Sequence, residues 1–410
     1  MSRHTTTNAL GGNSEKTAAC SPPSPPAKTP VAISPCRDYS ETAVDSSLRS
    51  LLENLGGIDK IVERGATVLL KPNLLSPRTP EQAVTTHPSL VKAAARLCME
   101  AGAARIWVGD SCAGDHDDQE LWRKTGMSEA LEKLPAELKS FHQQVTVRRI
   151  GDRQVPVPAW LEEVDSIISL PKLKTHSLTL LTCAIKNLYG MVSGQAKSAY
   201  HATHPSPRQM SAFLAEIYRS FIPDLTIVDA VIAMEGEGPA NGRPKHLGLL
   251  LGGLDAVAID SVCASLLNLE PQQIPLIKEA AAQEVGEIRT ENIEIIGIDS
   301  KDLEPLSLAP SLGRLLMRIP EPVFLIVTRL IKCQPRIDQS LCVRCGICQD
   351  ICSRQAISAD SKGCLRVNPR RCIVCMCCAE SCPYHAVGTR PFLSGLRRLF
   401  TRLKLKKKTR

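Results

Sequence analysis

Two runs of four cysteines constrain this chain more than any other feature of its sequence. Both have the spacing CxxCxxCxxxC, and the second run begins thirty residues after the first. They consist of Cys342, Cys345, Cys348 and Cys352, and of Cys372, Cys375, Cys378 and Cys382. The repeat extends beyond the sulfur atoms, since Arg336-Ile337-Asp338 matches Arg366-Val367-Asn368. This duplication predicts two half-domains related by a pseudo-twofold axis, each with a short strand, a ligand loop and a helical turn.

The spacing within each run is suited to iron–sulfur cubanes. Two-residue gaps allow three thiolates of one loop to converge on one cluster, while the fourth cysteine begins a helical turn that reaches the other cluster. We therefore predict two 4Fe–4S clusters. The first takes Cys342, Cys345, Cys348 and Cys382, and the second takes Cys372, Cys375, Cys378 and Cys352.

The segment from Pro335 to Arg390 resembles the bacterial two-cluster ferredoxins throughout. The one departure is Ser353, which stands where the first run of that family usually has proline. Two zinc sites are an alternative, but zinc usually binds two CxxC pairs separated by a longer loop. A degenerate or single-cluster module is a further alternative.

The total number of cysteines gives information about the cellular compartment of the protein. The chain has 17 cysteines, an odd number, and no apolar export signal. This combination indicates a reducing compartment, so we predict a cytoplasmic location. Cys377 could replace Cys378 as a ligand, although the two-residue gap favours Cys378. Cys333 and Cys364 are expected to be ordinary buried thiols.

Composition divides the chain into five parts. Residues 1–30 are polar and rich in Ser, Thr and Pro, which predicts a disordered leader. Residues 31–310 are predicted to form an α/β domain, residues 311–333 a linker helix, and residues 334–390 the two-cluster domain. Residues 391–410 form a basic amphipathic tail. No apolar run is long enough for a transmembrane helix.

The positive charge of the chain belongs to its tail. The net charge is +8, and residues 391–410 hold eight Lys/Arg and no Asp/Glu. The folded body is therefore neutral, and aromatic residues are only 3% of the chain, so we predict no nucleic-acid partner. The tail is expected either to remain solvated or to contact an anionic membrane surface or a partner protein.

Strand-like and helix-like segments alternate along residues 31–303. The pattern predicts a mostly parallel sheet with helices on both faces, that is, an α/β fold, followed by a small α+β ferredoxin-like domain. The predicted strands are Thr67–Leu70, Arg105–Val108, Val145–Ile150, Ser166–Leu170, Leu225–Val228 and Leu247–Leu251. The predicted helices are Pro88–Ala101, Arg208–Phe221, Ala256–Leu267 and Pro275–Ala282.

Polar motifs follow several of these strands, at the sheet edge where open α/β sheets bind ligands. They are Lys71-Pro72-Asn73, Gly109-Asp110-Ser111, Pro171 to His176, Lys186 to Gly190, and Asp229 followed by Glu235 to Pro239. Together these motifs resemble the family catalogued as domain of unknown function 362. The resemblance covers about Val68 to Leu269, and it implies that a C-terminal ferredoxin pair is a common fusion partner. The reaction of that family is not established.

Three interpretations of the strand-end residues are open. A basic pocket for a phosphate or carboxylate would use Lys71, Asn73, Lys172, Lys174, His176, Lys186 and Asn187. A divalent metal site would use His176, His201, His204, Asp110 and Asp229. The third interpretation is that these are solvated loop residues. His87, which precedes Pro88, is expected to be a helix-entry residue.

These observations predict an iron–sulfur protein that transfers single electrons to or from its α/β domain or a docked redox partner protein. The alternative is a reductase that acts on a small anionic substrate at the Lys/Asn/His strand ends. A maturation factor with structural clusters is a third hypothesis. No catalytic residue is assigned from the sequence.

Overall fold

The structure is a computed structural model that describes residues 28–112, 116–176, 179–194, 196–204, 206–298, 303–308 and 335–389. The predicted linker helix and basic tail lie outside the described residues, as does most of the leader. The first strand begins at Thr29, two residues before the predicted start of the α/β domain.

The described segments contain both strands and helices in alternation. The strands are β1 (Thr29–Pro35), β2 (Thr67–Pro72), β3 (Arg105–Val108), β4 (Ala136–Leu138), β5 (Val145–Ile150), β6 (Arg153–Pro158), β7 (Ser166–Leu170), β8 (Lys172–His176), β9 (Leu180–Thr182), β10 (Leu225–Glu235), β11 (Arg243–Gly253), β12 (Ile293–Gly297), β13 (Pro335–Ile337), β14 (Ile357–Ala359), β15 (Leu365–Val367) and β16 (Val387–Thr389). The α-helices are α1 (Glu41–Asn54), α2 (Pro88–Glu100), α3 (Asp118–Lys124), α4 (Met127–Leu131), α5 (Ala184–Asn187), α6 (Ala196–Thr203), α7 (Pro207–Ser220), α8 (Ala256–Ser265), α9 (Pro275–Ala282), α10 (Ile347–Asp350) and α11 (Cys377–Glu380). Short 3-10 helices occupy Ile58–Lys60, Pro80–Gln82, Ala159–Glu163, Leu188–Met191, Pro271–Gln273 and Thr290–Asn292.

One large sheet organises the α/β domain. Its strand order is β12-β1-β11-β10-β7-β2-β3-β4, and β8 joins it by pairing with β10 and β9. Strands β7, β2, β3 and β4 run parallel to one another, while β11 is antiparallel to both of its neighbours. The sheet is therefore mostly parallel, as predicted.

Helices cover both faces of this sheet because its strands bury side chains on both sides. In β2, Val68 and Leu70 belong to the apolar core that packs against α1 to α4. Leu69, between them, belongs to the core on the other face, with α5, α7, α8 and α9. This alternation follows from the two-residue period of a strand. The α/β fold class is confirmed.

Several elements have the predicted bounds, and others are longer than predicted. Strands β3, β5 and β7 and helix α9 have the predicted bounds. Strands β10 and β11 are eleven residues each and form a long antiparallel hairpin. Strand β5 lies outside the main sheet, because it pairs only with β6 in a separate hairpin.

Residues 335–389 form a small α+β unit, here called the C-terminal module, with the predicted thirty-residue repeat. Strand β13 is equivalent to β15, α10 to α11, and β14 to β16. The halves interlock, since β13 pairs with β16 and β14 pairs with β15. The equivalent turns match as well, because the side chains of Asp338 and Asn368 each accept a 2.9 Å bond from the amide two residues later.

Candidate functional site

Two pockets in the C-terminal module each gather four of the predicted cysteine ligands. The first cysteine pocket is lined by Cys342, Cys345, Cys348 and Cys382 and has about 310 Å³ of open space. Three of these residues come from the first run and one from the second. Apolar side chains from β13, β15 and β16 complete its wall.

The second cysteine pocket has the reciprocal composition. It is lined by Cys372, Cys375 and Cys378 of the second run and Cys352 of the first, with about 370 Å³ of open space. The interlocked strand pairing explains the exchange, since it brings the end of each half beside the ligand loop of the other. Cys377 lines this pocket too, so the choice between Cys377 and Cys378 as ligand stays a prediction.

The donor chemistry of both pockets fits iron–sulfur clusters. Each pocket offers at least four thiols, and among the described residues these cysteines form no disulfide. In the same residues no three His, Cys, Asp or Glu side chains are close enough to share a single metal ion. A 4Fe–4S cubane is larger than one ion, since four iron and four sulfide ions alternate at its corners and each cysteine binds a different iron. Cys364 lies outside both pockets and is half-exposed rather than buried, while Cys333 is outside the described residues.

In the α/β domain, the strand-end lysines are buried and two of them form ion pairs. The Nζ atom of Lys71 lies 2.7 Å from Asp110 Oδ1, and both side chains are almost fully buried. Asn187 fixes this lysine by donating to its carbonyl oxygen at 3.1 Å. Gly190 is required here, since a Cβ atom at that position would lie 1.8 Å from Asp110 Oδ1.

Lys172, in β8, forms an equivalent buried ion pair with Asp229, in the neighbouring strand β10. Its Nζ atom lies 2.9 Å from Asp229 Oδ2, and Tyr39 donates a 2.7 Å bond to the other carboxylate oxygen. The ring of His87 stacks on Tyr39 with 3.6 Å between centroids, and its Nδ1 atom accepts from the Ser89 amide at the start of α2. His87 is therefore a helix-entry residue.

Among the residues that the structure describes, no carboxylate lies within ion-pair distance of Lys174 or Lys186. Lys174 donates to Asn73 Oδ1 at 2.7 Å and to the Val84 carbonyl at 2.8 Å. Burial, and then the like charge of Lys186, lower the pKa of Lys174 to about 7. Burial also lowers the pKa of Lys186, against the attraction of Glu380 and Cys377.

Burial keeps two histidines near these lysines, His176 and His201, in their neutral form. Burial and then the charge of Lys186 lower the pKa of His176 to about 4, and its Nδ1 atom accepts from the Thr179 amide. The pKa of His201 is also lowered to about 4, chiefly by burial. His204 bonds the Tyr200 carbonyl and stacks on Phe213.

The C-terminal module contributes a carboxylate to this region. Glu380, in α11, places its Oε1 atom 3.4 Å from His176 Nε2. Burial by itself would raise the pKa of Glu380, but His176, Lys186 and His201 outweigh it and hold the pKa at about 2. The loop that lines the second cysteine pocket therefore packs directly on the strand-end residues of the α/β domain.

The structure thus brings together the seven predicted anion-site residues. Lys71, Asn73, Lys172, Lys174, His176, Lys186 and Asn187 lie at adjoining strand and helix ends. They are buried or half-buried, so the interpretation as solvated loops is wrong. The metal-site interpretation is also wrong for the described residues, because Asp110 and Asp229 pair with lysines and no three candidate ligands converge.

Sequence reasoning missed three residues that connect the two parts of the molecule. Arg78 bonds the Cys382 carbonyl and His385, and Glu380 faces His176. Ser353, the departure from the ferredoxin pattern, donates a 2.9 Å bond to the Ser198 carbonyl. Neither Arg78 nor Glu380 carried a signal in the sequence, since the first cysteine run has an acid, Asp350, at the position equivalent to Glu380.

Comparisons with known proteins agree with this architecture. Residues 68–265 match the family described as Domain of unknown function (DUF362), and residues 335–358 match a 4Fe-4S binding domain. A protein from Synechocystis sp., named as thylakoid-associated, is 34% identical over 256 residues, which is 62% of this chain and 78% of the relative. The chain belongs to the DUF362 family. It carries in addition a 4Fe–4S binding domain and is an iron–sulfur electron-transfer protein.

A solved structure of a lactate racemase apoprotein from Thermoanaerobacterium thermosaccharolyticum also matches this DUF362 protein. The TM-score is 0.40 and the sequence identity 13%, over 60% of this chain and 58% of that one. The match therefore spans somewhat more than half of the length of the racemase. In the described part of the DUF362 chain, no helix is both long enough and apolar enough to cross a bilayer.

Proposed function

We propose that the C-terminal module binds two 4Fe–4S clusters and exchanges single electrons with the α/β domain. The observation that carries the proposal is the composition of the two cysteine pockets, each of which has three cysteines from one run and one from the other. When bound, such clusters supply one-electron transfer at potentials set by their surroundings. The proposed ligands are Cys342, Cys345, Cys348 and Cys382 for the first, and Cys372, Cys375, Cys378 and Cys352 for the second.

The packing of α11 supports a route for this exchange within the molecule. Glu380 lies in α11, the same short helix as Cys377 and Cys378 of the second pocket. Its Oε1 atom lies 3.4 Å from His176 Nε2. Exposed Cys345, by contrast, lies at the outer side of the first pocket. The second pocket is therefore the one through which electrons would enter or leave the α/β domain, while the first is open to a redox partner protein.

Anaerobic reconstitution tests this proposal. The full chain should take up about eight iron and eight sulfide ions, as two cubanes require. Its dithionite-reduced form should give the electron paramagnetic resonance spectrum of two interacting 4Fe–4S clusters. A preparation that saturates at half of this iron content, or that stays colourless, would contradict it.

A second candidate function is the reduction of a small anionic substrate at the strand-end lysines. It is favoured by Lys174 and Lys186, which are buried or half-buried cations whose contacts include no carboxylate within ion-pair distance in the described residues. Calorimetric titration with inorganic phosphate and with acetate tests it. Binding should be lost in Lys186→Met and retained in Lys60→Met, an exposed control. If neither anion binds the intact protein, the substrate role fails.

We also propose that the protein contacts an anionic membrane surface through its basic tail. The tail, with eight Lys/Arg and no Asp/Glu in residues 391–410, has the composition of segments that bind anionic bilayers from the cytoplasmic side. The name of the Synechocystis relative, which describes it as thylakoid-associated, supports a membrane contact. Flotation with vesicles of anionic lipid should carry the full chain, and neutral vesicles should not. Equal flotation with both would contradict the proposal.

A further inference from the structure

Arg78 is a buried cation with neutral hydrogen-bond partners. It lies in the loop between β2 and α2 and is only 2% exposed. Its Nη2 atom donates to the carbonyl oxygen of Cys382, and its Nη1 atom donates to Nε2 of His385. Its Nε atom has no hydrogen-bond partner among the described residues.

A guanidinium group stays protonated in proteins, so burying it without a counter-charge costs several kcal/mol. Cys382 is one of the four cysteines that line the first cysteine pocket. Four thiolates around a cubane are net anionic, so a cluster in this pocket would supply the charge that Arg78 otherwise lacks.

The contacts of His385 hold this arrangement in place. Because its Nε2 atom accepts from Arg78, its proton is on Nδ1, which donates to Asn241 Oδ1 at 2.7 Å. Asn241 in turn donates to the Val387 carbonyl at 3.2 Å. Arg78 and Asn241 of the α/β domain thus bind both ends of the segment from Cys382 to Val387.

We propose that Arg78 is the built-in counter-ion of the cluster ligated by Cys382, a positioning residue that fixes this ligand and raises the reduction potential of that cluster. The inference rests on the proposed function, because it requires a cluster in the first pocket. One electron added to the cluster increases its negative charge, and a buried cation stabilises the reduced form more than the oxidised form. No bond or proton changes in this step.

A redox titration of the reconstituted full chain, followed by electron paramagnetic resonance, tests the proposal. In Arg78→Gln, the ratio of reduced to oxidised first cluster at a fixed potential should fall at least tenfold, or about 59 mV for one electron. Arg78→Lys keeps the charge and should change this ratio less than threefold. Arg336→Gln is the control, because Arg336 is an exposed arginine of the same module that lines neither cysteine pocket.

A second readout separates the charge of Arg78 from its hydrogen bonds. Amide hydrogen exchange of residues 382–387 should accelerate in both Arg78→Lys and Arg78→Gln. Neither side chain can keep both guanidinium hydrogen bonds, to the Cys382 carbonyl and to His385. The potential should follow the charge alone. If Arg78→Gln loses the first cluster but keeps the second, as shown by half the iron content, the counter-ion role is also supported.

A double variant identifies which cluster changes its potential when Arg78 is substituted. Cys345→Ala removes a ligand of the first pocket, and in that background Arg78→Gln should leave the remaining potential unchanged. A shift in this background, equal shifts of both clusters, or no shift in a protein with full iron content would overturn the proposal while leaving the proposed function intact. An intact protein that binds no iron would overturn both.

Discussion

The Nε2 atom of His176, in β8, lies 3.4 Å from the Oε1 atom of Glu380, in α11. This contact joins a strand end of the α/β domain to the ligand loop of the C-terminal module. Glu380 has an equivalent in the first half of the repeat, Asp350, which is exposed. The two halves of the module therefore differ at this position, since Glu380 contacts the α/β domain and its equivalent, Asp350, is exposed.

Removing the Glu380 charge should weaken this docking. In Glu380→Gln, the half-buried Lys186 and the neighbouring histidines lose the carboxylate that faces them, so the free energy of unfolding should fall by about 1–3 kcal/mol. Urea unfolding of the reconstituted protein measures this. Asp350→Asn is the matched control and should change stability by less than about 0.5 kcal/mol. Equal effects of both substitutions would mean that the contact contributes nothing to docking.

Substitution of a single cluster ligand should halve the iron content of the chain. Cys345→Ala removes one of four cysteines from the first pocket, so iron should fall from about eight to about four per chain. Cys364→Ala is the control, because Cys364 lies outside both pockets, and it should keep all of the iron. Iron and sulfide analysis after anaerobic reconstitution gives the result. Loss of iron from the Cys364 variant would contradict the assignment.

The second pocket needs a comparison of its own, since both Cys377 and Cys378 line it. We expect Cys378→Ala to lose the second cluster and Cys377→Ala to keep it, because the two-residue gap in the sequence favours Cys378. The same iron analysis decides between them. The reverse result would assign Cys377 as the ligand and would leave Cys378 as a buried thiol.

The sequence predicted those parts of the molecule whose information is local. The cysteine spacing determines the ligand loops, and apolar alternation gave the bounds of β3, β5 and β7. It did not reveal that β11 is antiparallel to its neighbours, because a strand has the same side-chain period in either direction. The extra length of β10 and β11 was missed because polar residues such as Lys245 and His246 occupy the more exposed part of the hairpin.

The strand-end site shows the same limit. The motifs singled out Lys71 and Lys172, but one of the three interpretations assigned their partners Asp110 and Asp229 to a metal site. These partners are 39 and 57 residues away in the sequence, and only the sheet order brings them together. Arg78 was missed for the same reason, since its contacts to Cys382 and His385 span more than 300 residues.

Gly190 should be essential to the pair between Lys71 and Asp110. An alanine Cβ there would lie 1.8 Å from Asp110 Oδ1 and 2.6 Å from Lys71 Nζ, so the buried ion pair would have to separate. We expect Gly190→Ala to reduce the free energy of unfolding by about 3 kcal/mol or more. Gly388→Ala is the control, because a Cβ at Gly388 would meet no atom within 4 Å among the described residues. Thermal unfolding followed by circular dichroism compares the two, and equal melting temperatures would contradict the prediction.

Lys174 should make stability depend on pH in a defined direction. Its pKa is about 7 in the folded protein, because of burial and the charge of Lys186, against about 10.4 for an unfolded lysine. Lys172, Glu380 and Asp110 also face it. Between these two pKa values the unfolded chain binds more protons, so the free energy of unfolding should rise with pH, by at most about 1.4 kcal/mol per unit.

Substitution of Lys174 isolates this contribution. Lys174→Met keeps the length of the side chain and removes its titration, so the rise of stability between about pH 7 and pH 10 should flatten. Below pH 7 the wild-type lysine must be buried with its charge, and there the variant should be the more stable of the two. Urea unfolding midpoints at pH 6, 7.5 and 9 measure both effects. Lys60→Met, at an exposed site, should keep the wild-type slope, and a wild-type slope in Lys174→Met would show that this lysine remains charged throughout.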